Sequence, residues 1–142
     1  MTWTGWRAVG KTADEAMALW RHTQKLEEIG VFGAELEVVP DRVAKFLSEN
    51  SSLVMLGMGA GRYADAQYLF TEDVCGYGRN HKPRHGKVYR NFGARVRAPA
   101  GRAHRRLQGV PLGRGHGRVS EAAHTVAIAD DAFEAFLAQA GG

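Results

Sequence analysis

An α/β fold with a parallel sheet is what this sequence predicts, on three observations. Segments with helical and strand periodicity alternate from residue 12 to residue 70. The breaks between them carry glycine or proline, as at Gly30, Pro40 and the run "GMGAG" over 57–61. The chain of 142 residues, 44% hydrophobic and 24% charged, is large enough for one domain with a real core.

Thr12 opens the first helix. Thr12 and Glu15 have capping-box spacing, so each side chain can satisfy a free N–H at the helix start. Ala16, Leu19, Trp20, Thr23 and Leu26 then recur on one face, and Gly30 supplies the left-handed residue that stops a helix. Residues 31–39 read as a strand that Pro40 closes, since proline brings no N–H to a ladder. In that strand Phe32, Ala34, Leu36 and Val38 would share one face, and Val31, Gly33, Glu35, Glu37 and Val39 the other. Residues 41–50 form a second amphipathic helix with Val43, Phe46 and Leu47 on one side. Residues 53–56 are a short apolar strand running into "GMGAG", and 66–70 a further strand. Beyond Asn91 periodicity fails. Residues 93–118, rich in Arg, Gly, Ala and Pro, read as loop or disorder. Asp130 is the expected N-cap of a short helix reaching Ala140, with Phe133, Phe136 and Leu137 on one side. The chain thus divides into 1–92, an irregular basic segment at 93–120, and a tail at 121–142 with a short helix.

Charge is unevenly spread. Residues 1–73 carry 7 Lys/Arg and 11 Asp/Glu, residues 74–120 carry 12 Lys/Arg and no acid, and residues 121–142 carry 4 acids and no Lys/Arg. Such a basic block raises a polyanion- or nucleic-acid-binding reading for 74–120. Against it, the block has few aromatics and no recognised motif. No apolar run approaches the roughly 20 residues of a membrane helix, and "MTWTGWRAVGK" lacks the charged leader and apolar core of a signal peptide. With Cys75 as the one cysteine, the expectation is a cytoplasmic protein without a disulfide framework.

The motifs narrow the reading. The sequence has G-x-x-x-x-G-K-T at 5–12, L-E-x-V-P at 36–40 and G-x-G-A-G at 57–61. Asp65 and Gln67 follow as D-x-Q, then Asp73 and Gly76, then K-P-R at 82–84. In this order and spacing, over residues 5–92, the chain resembles ketopantoate hydroxymethyltransferase. The resemblance implies the C-terminal part of a (βα)8 TIM barrel of the phosphoenolpyruvate mutase and isocitrate lyase type. It also implies transfer of a hydroxymethyl group from 5,10-methylenetetrahydrofolate to 3-methyl-2-oxobutanoate, with Mg2+ holding the oxo acid. It assigns proton transfer to Glu37, the glutamate of L-E-x-V-P.

The chemistry makes sense of an acid at that position. A carboxylate among apolar neighbours is costly unless it is paired, neutralised or used. A carbon beside a ketone must lose a proton before it can attack a one-carbon donor, which calls for a base within hydrogen-bond reach. In parallel α/β folds that chemistry sits where strands end, and Glu37 lies near the end of its strand. The bland alternative is that Glu35 and Glu37 both face solvent from an edge strand. Glu35 has no role in the resemblance and is expected to be a pairing partner or a structural carboxylate.

The resemblance starts at the fifth βα connection of the barrel. The magnesium ligands of the family have no counterpart here, so no metal-binding residue is assigned. The expectation is an incomplete barrel, inactive alone, that forms a homo-oligomer or joins a complementary N-terminal half. The acid-free run where the family has an amphipathic helix points to compensating frameshifts near residues 94 and 120. Other signals are set aside: "GMGAGR" has Arg62 where a dinucleotide fingerprint needs glycine, His81 and His85 lack a cysteine pair and flank Pro83, and Cys75 reads as a buried thiol. Trp3, Trp6 and Trp20 read as core or interface aromatics.

Overall fold

The computed structural model describes residues 8–77, 86–93 and 124–141. In chain order these form α1 (Ala13–Glu28), β1 (Gly33–Glu37), α2 (Asp41–Asn50), β2 (Val54–Met58), β3 (Ala66–Gln67), α3 (Thr71–Cys75) and α4 (Asp130–Ala140). The strands make one sheet in the order β1-β2-β3, parallel throughout. This is the α/β arrangement that the alternating pattern predicts.

Helix α1 begins as its cap spacing requires. The Thr12 hydroxyl accepts the Glu15 N–H at 3.2 Å. The Glu15 carboxylate reaches back to accept the N–H groups of Gly10 and Lys11 at 3.1 and 3.0 Å. At the other end Gly30 has φ +81°, its N–H donates to the Glu27 carbonyl, and the Val31 N–H donates to the Leu26 carbonyl. This two-bond closure needs a left-handed residue, which glycine adopts without steric cost.

Strand β1 is shorter than residues 31–39, and its alternation fails at both ends. Phe32 precedes the first paired residue and is 88% exposed, not buried beside Leu36. Val38 has φ +53°, a left-handed conformation that a β-branched residue rarely takes. That single residue turns the chain, so Val39 does not stay on the face of Glu37. Val39 and Pro40 are buried instead, and Pro40 becomes the residue that caps α2.

Strand β2 starts one residue later than residues 53–56 and extends to Met58. The link from β2 to β3 is unusually short. Parallel neighbours ordinarily need a crossover of about a dozen residues or more, yet residues 59–65 complete this one. Glycine makes it possible. Gly59 and Gly61 have φ +67° and +79°. A Cβ on Gly57 would lie 2.9 Å from the Ala64 Cβ, and one on Gly61 2.5 Å from the Asp41 Cβ, so the link presses on β2 and on the start of α2. Asp65 then ties its end, accepting the Met55 N–H at 2.8 Å and the Ser48 hydroxyl at 3.3 Å. Strand β3 is two residues long, not five, because the chain turns into α3 at Phe70.

Residues 86–93 strap onto the end of α3. The N–H groups of Tyr89 and Arg90 donate to the Val74 carbonyl, and those of Phe92 and Gly93 to the carbonyls of Cys75 and Gly76. Helix α4 spans the residues expected, but Ala129 occupies its cap position and Asp130 is already helical. The Asp130 carboxylate is engaged instead by the Arg42 guanidinium, which also lies 4.0 Å over the Phe133 ring.

One face of the sheet is closed by the helices. Leu36 and Met55 point into a core with Ala16 and Met17 of α1, Val43, Ala44 and Leu47 of α2, and Phe136 of α4. Trp20, Phe46 and Phe136 meet edge-to-face, with centroids 5.4 and 4.8 Å apart. Such contacts add about 1 kcal/mol each to the area they bury.

Candidate active site

The other face of the sheet has no helix on it among the described residues. The register pairs Gly33 with Val54, Glu35 with Leu56 and Glu37 with Met58, and Leu56 with Ala66. By alternation these residues lie opposite Leu36 and Met55, but the face is open only along Val54 and Leu56, since Met58 is buried. Val54 and Leu56 are 49% and 40% exposed. Glu35 is exposed in mid-strand, as the bland reading has it, whereas Glu37 is half-buried as the last residue of β1. Neither carboxylate takes part in an ion pair among the described residues.

All three strands end on the same side, and the rim there is built from their last residues. Glu37 closes β1. Immediately after it comes left-handed Val38, whose N–H donates to the Met58 carbonyl at 2.8 Å. A backbone held in so unfavourable a conformation costs about 1–3 kcal/mol and persists only where its surroundings enforce it. Here the enforcing contacts are that bond to β2 and the burial of Val39 and Pro40 just beyond. Met58 closes β2 and leads into the glycine crossover. Past β3, Tyr68 and Phe70 stand on the rim, 43% and 45% exposed, with ring centroids 5.3 Å apart.

The D-x-Q pair separates in role. Asp65 is structural, pinning the crossover to β2 and α2. Gln67 pairs with Gly57, and its Nε2 is buried without a hydrogen-bond partner among the described residues. The Asp73 side chain lies against Gly86, where a Cβ would sit 3.1 Å from the Asp73 Cβ. Cys75 is buried, and burial followed by the nearby Glu72 charge pushes its thiol pKa up, which keeps it protonated and unreactive. Trp20 is a partly buried core residue. Trp3, Trp6, His81, His85, the K-P-R cluster and the basic run 94–120 lie outside the described residues.

Among the described residues no group of three His, Cys, Asp or Glu side chains converges as a metal site. The described part of this chain therefore does not fit magnesium by itself. No described helix is long and apolar enough to cross a membrane.

Two rim features escaped the sequence reading. Tyr68 and Phe70 carried a signal, since i and i+2 in an extended segment share a side. Val38 carried none, because valine is among the residues least suited to positive φ.

Comparison with known proteins decides the family. The family model for ketopantoate hydroxymethyltransferase matches residues 1–105. The 3-methyl-2-oxobutanoate hydroxymethyltransferase of Thermosipho melanesiensis is 38% identical over 87 residues, covering 61% of this chain and 33% of that protein. Its counterpart in Kosmotoga olearia is 41% identical over 88 residues, 62% of this chain and 33% of the relative. The one in Nitrosopumilus maritimus is 39% identical over 88 residues, again 62% of this chain and 32% of the relative.

This chain belongs to the ketopantoate hydroxymethyltransferase family. It spans about a third of the length of the relatives it matches. The family match contains Glu37, the glycine crossover and the Tyr68–Phe70 pair, and it runs past residue 92 into the basic segment. Nothing in the comparisons or the described residues favours the polyanion-binding alternative.

Proposed function

We propose that this chain forms part of a (βα)8-barrel hydroxymethyltransferase and supplies its proton-transfer residue, Glu37. The reaction moves a one-carbon unit from 5,10-methylenetetrahydrofolate to 3-methyl-2-oxobutanoate and gives ketopantoate. The observation that carries the reading is the place of Glu37: last in β1, half-buried on the open face, beside Met58 and ahead of a strained Val38.

A base at that point takes the proton from C3 of the oxo acid. The electron pair left on carbon forms the new bond to the one-carbon unit. The two bonds from that unit to the folate nitrogens break, and water supplies the hydroxyl group. The proton from C3 and the second proton of that water end on the two nitrogens, the Glu37 carboxyl carrying the C3 proton in between. The apolar side chains beside it, Leu56 and Met58, keep that proton from exchanging freely once substrate covers the face. The described residues offer no magnesium cluster, and the proton transfer rests on Glu37 itself.

The half-exposed Val54 and Leu56 also call for cover, because an apolar strand face left in water favours association. A second copy or a polypeptide bearing the remaining strands would provide it. A cytoplasmic location fits the single, buried cysteine.

The test is exchange of the C3 proton of 3-methyl-2-oxobutanoate with heavy water, followed by NMR. The chain is joined to the preceding strands of the Thermosipho melanesiensis relative. Exchange should proceed in the joined protein and drop by about a hundredfold or more in Glu37→Gln. An unchanged rate in that variant would remove Glu37 from the reaction.

A further inference from the structure

Strands β1 and β2 end on the same device. Glu37 and Met58, the last residues of the two strands, are paired in register. Each is followed by one residue of positive φ, Val38 at +53° and Gly59 at +67°. Each of those is followed by a residue buried in the core, Val39 and Ala60. Strand β3 ends otherwise. The Tyr68 N–H donates to the Gly57 carbonyl at 2.9 Å, so the chain runs on in line with Met58 and Glu37 before it turns into α3 at Phe70.

The left-handed residue decides what stands beyond Glu37. Had residue 38 stayed extended, Val39 would follow Glu37 on the same side of the sheet. The turn sends Val39 into the core instead, where it is 3% exposed. Glu37 is thus the final side chain that its own strand presents on that side.

The two strands make this turn with different residues. Glycine enters positive φ freely, whereas a β-branched residue does so at a cost. Glycine at 38 would turn the chain with less strain. Valine brings restriction, because its branched side chain narrows the backbone conformations open to the residue. The rest of the turn is held as well. The Val38 N–H donates to the Met58 carbonyl at 2.8 Å, the Asp41 N–H donates to the Val126 carbonyl at 3.3 Å, and Val39 and Pro40 between them are buried. At the end of β2 the last side chain is an uncharged methionine with no proton to take, and a glycine suffices.

We propose that Val38 is a positioning residue for Glu37, giving up stability to hold the carboxylate-bearing residue in one orientation at the end of its strand. This rests on the proton-transfer reading above and adds to it the residue that aims the base. Aim matters because a misplacement of about 1 Å can cost about a hundredfold in rate.

The experiment has two arms. Backbone amide relaxation, measured by NMR on the full chain, should give Glu37 an order parameter of about 0.85, kept in Val38→Ile and falling towards about 0.6 in Val38→Gly. Exchange of the C3 proton in the joined protein should show kcat lowered about tenfold in Val38→Gly, with KM within about twofold, and most of kcat kept in Val38→Ile. The thermal midpoint of Val38→Gly should not fall, whereas a residue that merely supports the fold would lose stability together with rate. An unchanged Glu37 order parameter in Val38→Gly would overturn the proposal. So would an unchanged kcat, or a loss of kcat that comes with a lower midpoint. Relaxation is read without substrate. Should Glu37→Gln leave exchange intact, the proton-transfer reading falls, while the order parameters still decide whether Val38 holds Glu37.

Discussion

The two faces of the small sheet have been built for different ends. On the covered face Leu36 and Met55 meet three helices, and Phe136 and Leu47 have no exposed surface at all. On the open face stand Glu35 and Glu37, and Val54 and Leu56, the cross-strand neighbours of Gly33 and Glu35, remain about half in water, whereas Met58 beside Glu37 is buried. The contrast teaches where the folding energy of this chain resides. One face supplies the stability, and the other is free to carry carboxylates that a core would not tolerate.

The comparison breaks first at Phe136. Phe136→Ala should cost about 3–5 kcal/mol in urea unfolding, because it removes the fully buried ring that ends the Trp20–Phe46–Phe136 aromatic chain. Leu56→Ala removes a comparable side chain from the open face and should cost less than about 1 kcal/mol. Equal losses would mean that the open face is a second core.

Asp65→Ala tests the link between the faces. It leaves the Met55 N–H without its acceptor and frees the crossover, at an expected cost of about 1–2 kcal/mol. Retained stability would mean that the glycines hold the crossover unaided.

Val38→Gly probes the strain at the rim. Glycine adopts positive φ freely, so the variant should gain up to about 1 kcal/mol after its larger unfolded-state entropy is deducted. Its thermal midpoint should rise, and a fall would show that the Val38 side chain contributes more by contact than it costs in strain.

The smallest effect is a pH dependence at the opposite end of the sheet. Hydrogen bonds from the Ser52 N–H and hydroxyl hold the Glu27 carboxyl below its ordinary pKa. A depressed carboxyl stabilises fully above its unfolded-state pKa and loses that contribution as pH falls through its folded value. Glu27→Gln should therefore flatten the acid limb of the stability curve slightly, and an unaltered limb would mean the contact adds nothing.

Much of this was legible in one dimension. The capping pair Thr12 and Glu15, the stop at Gly30, the span of α2 and the aromatic side of α4 follow from local chemistry, because caps and helical periodicity act within a few residues. The family motifs placed Glu37 at a strand end for the same reason, since Pro40 marks where a ladder must close. Contacts between distant residues were not legible. Asp130 was expected to cap its own helix, and it turns instead to Arg42, 88 residues earlier in the chain. Gln67 gave no sign that its amide would be buried without a partner, which depends on Gly57 across the sheet.

Sequence alone determined the order of elements, the covered side of each helix and the glutamate at the end of the first strand, because these depend on neighbours a turn or less away. Only the tertiary structure decided that Val38 would be forced left-handed, that Val39 would leave the face of Glu37 for the core, and that Tyr68 would stand in line with Met58 and Glu37. Each of those outcomes follows from pairing between strands far apart in sequence, and a strand cannot show its own register until its partner is in place.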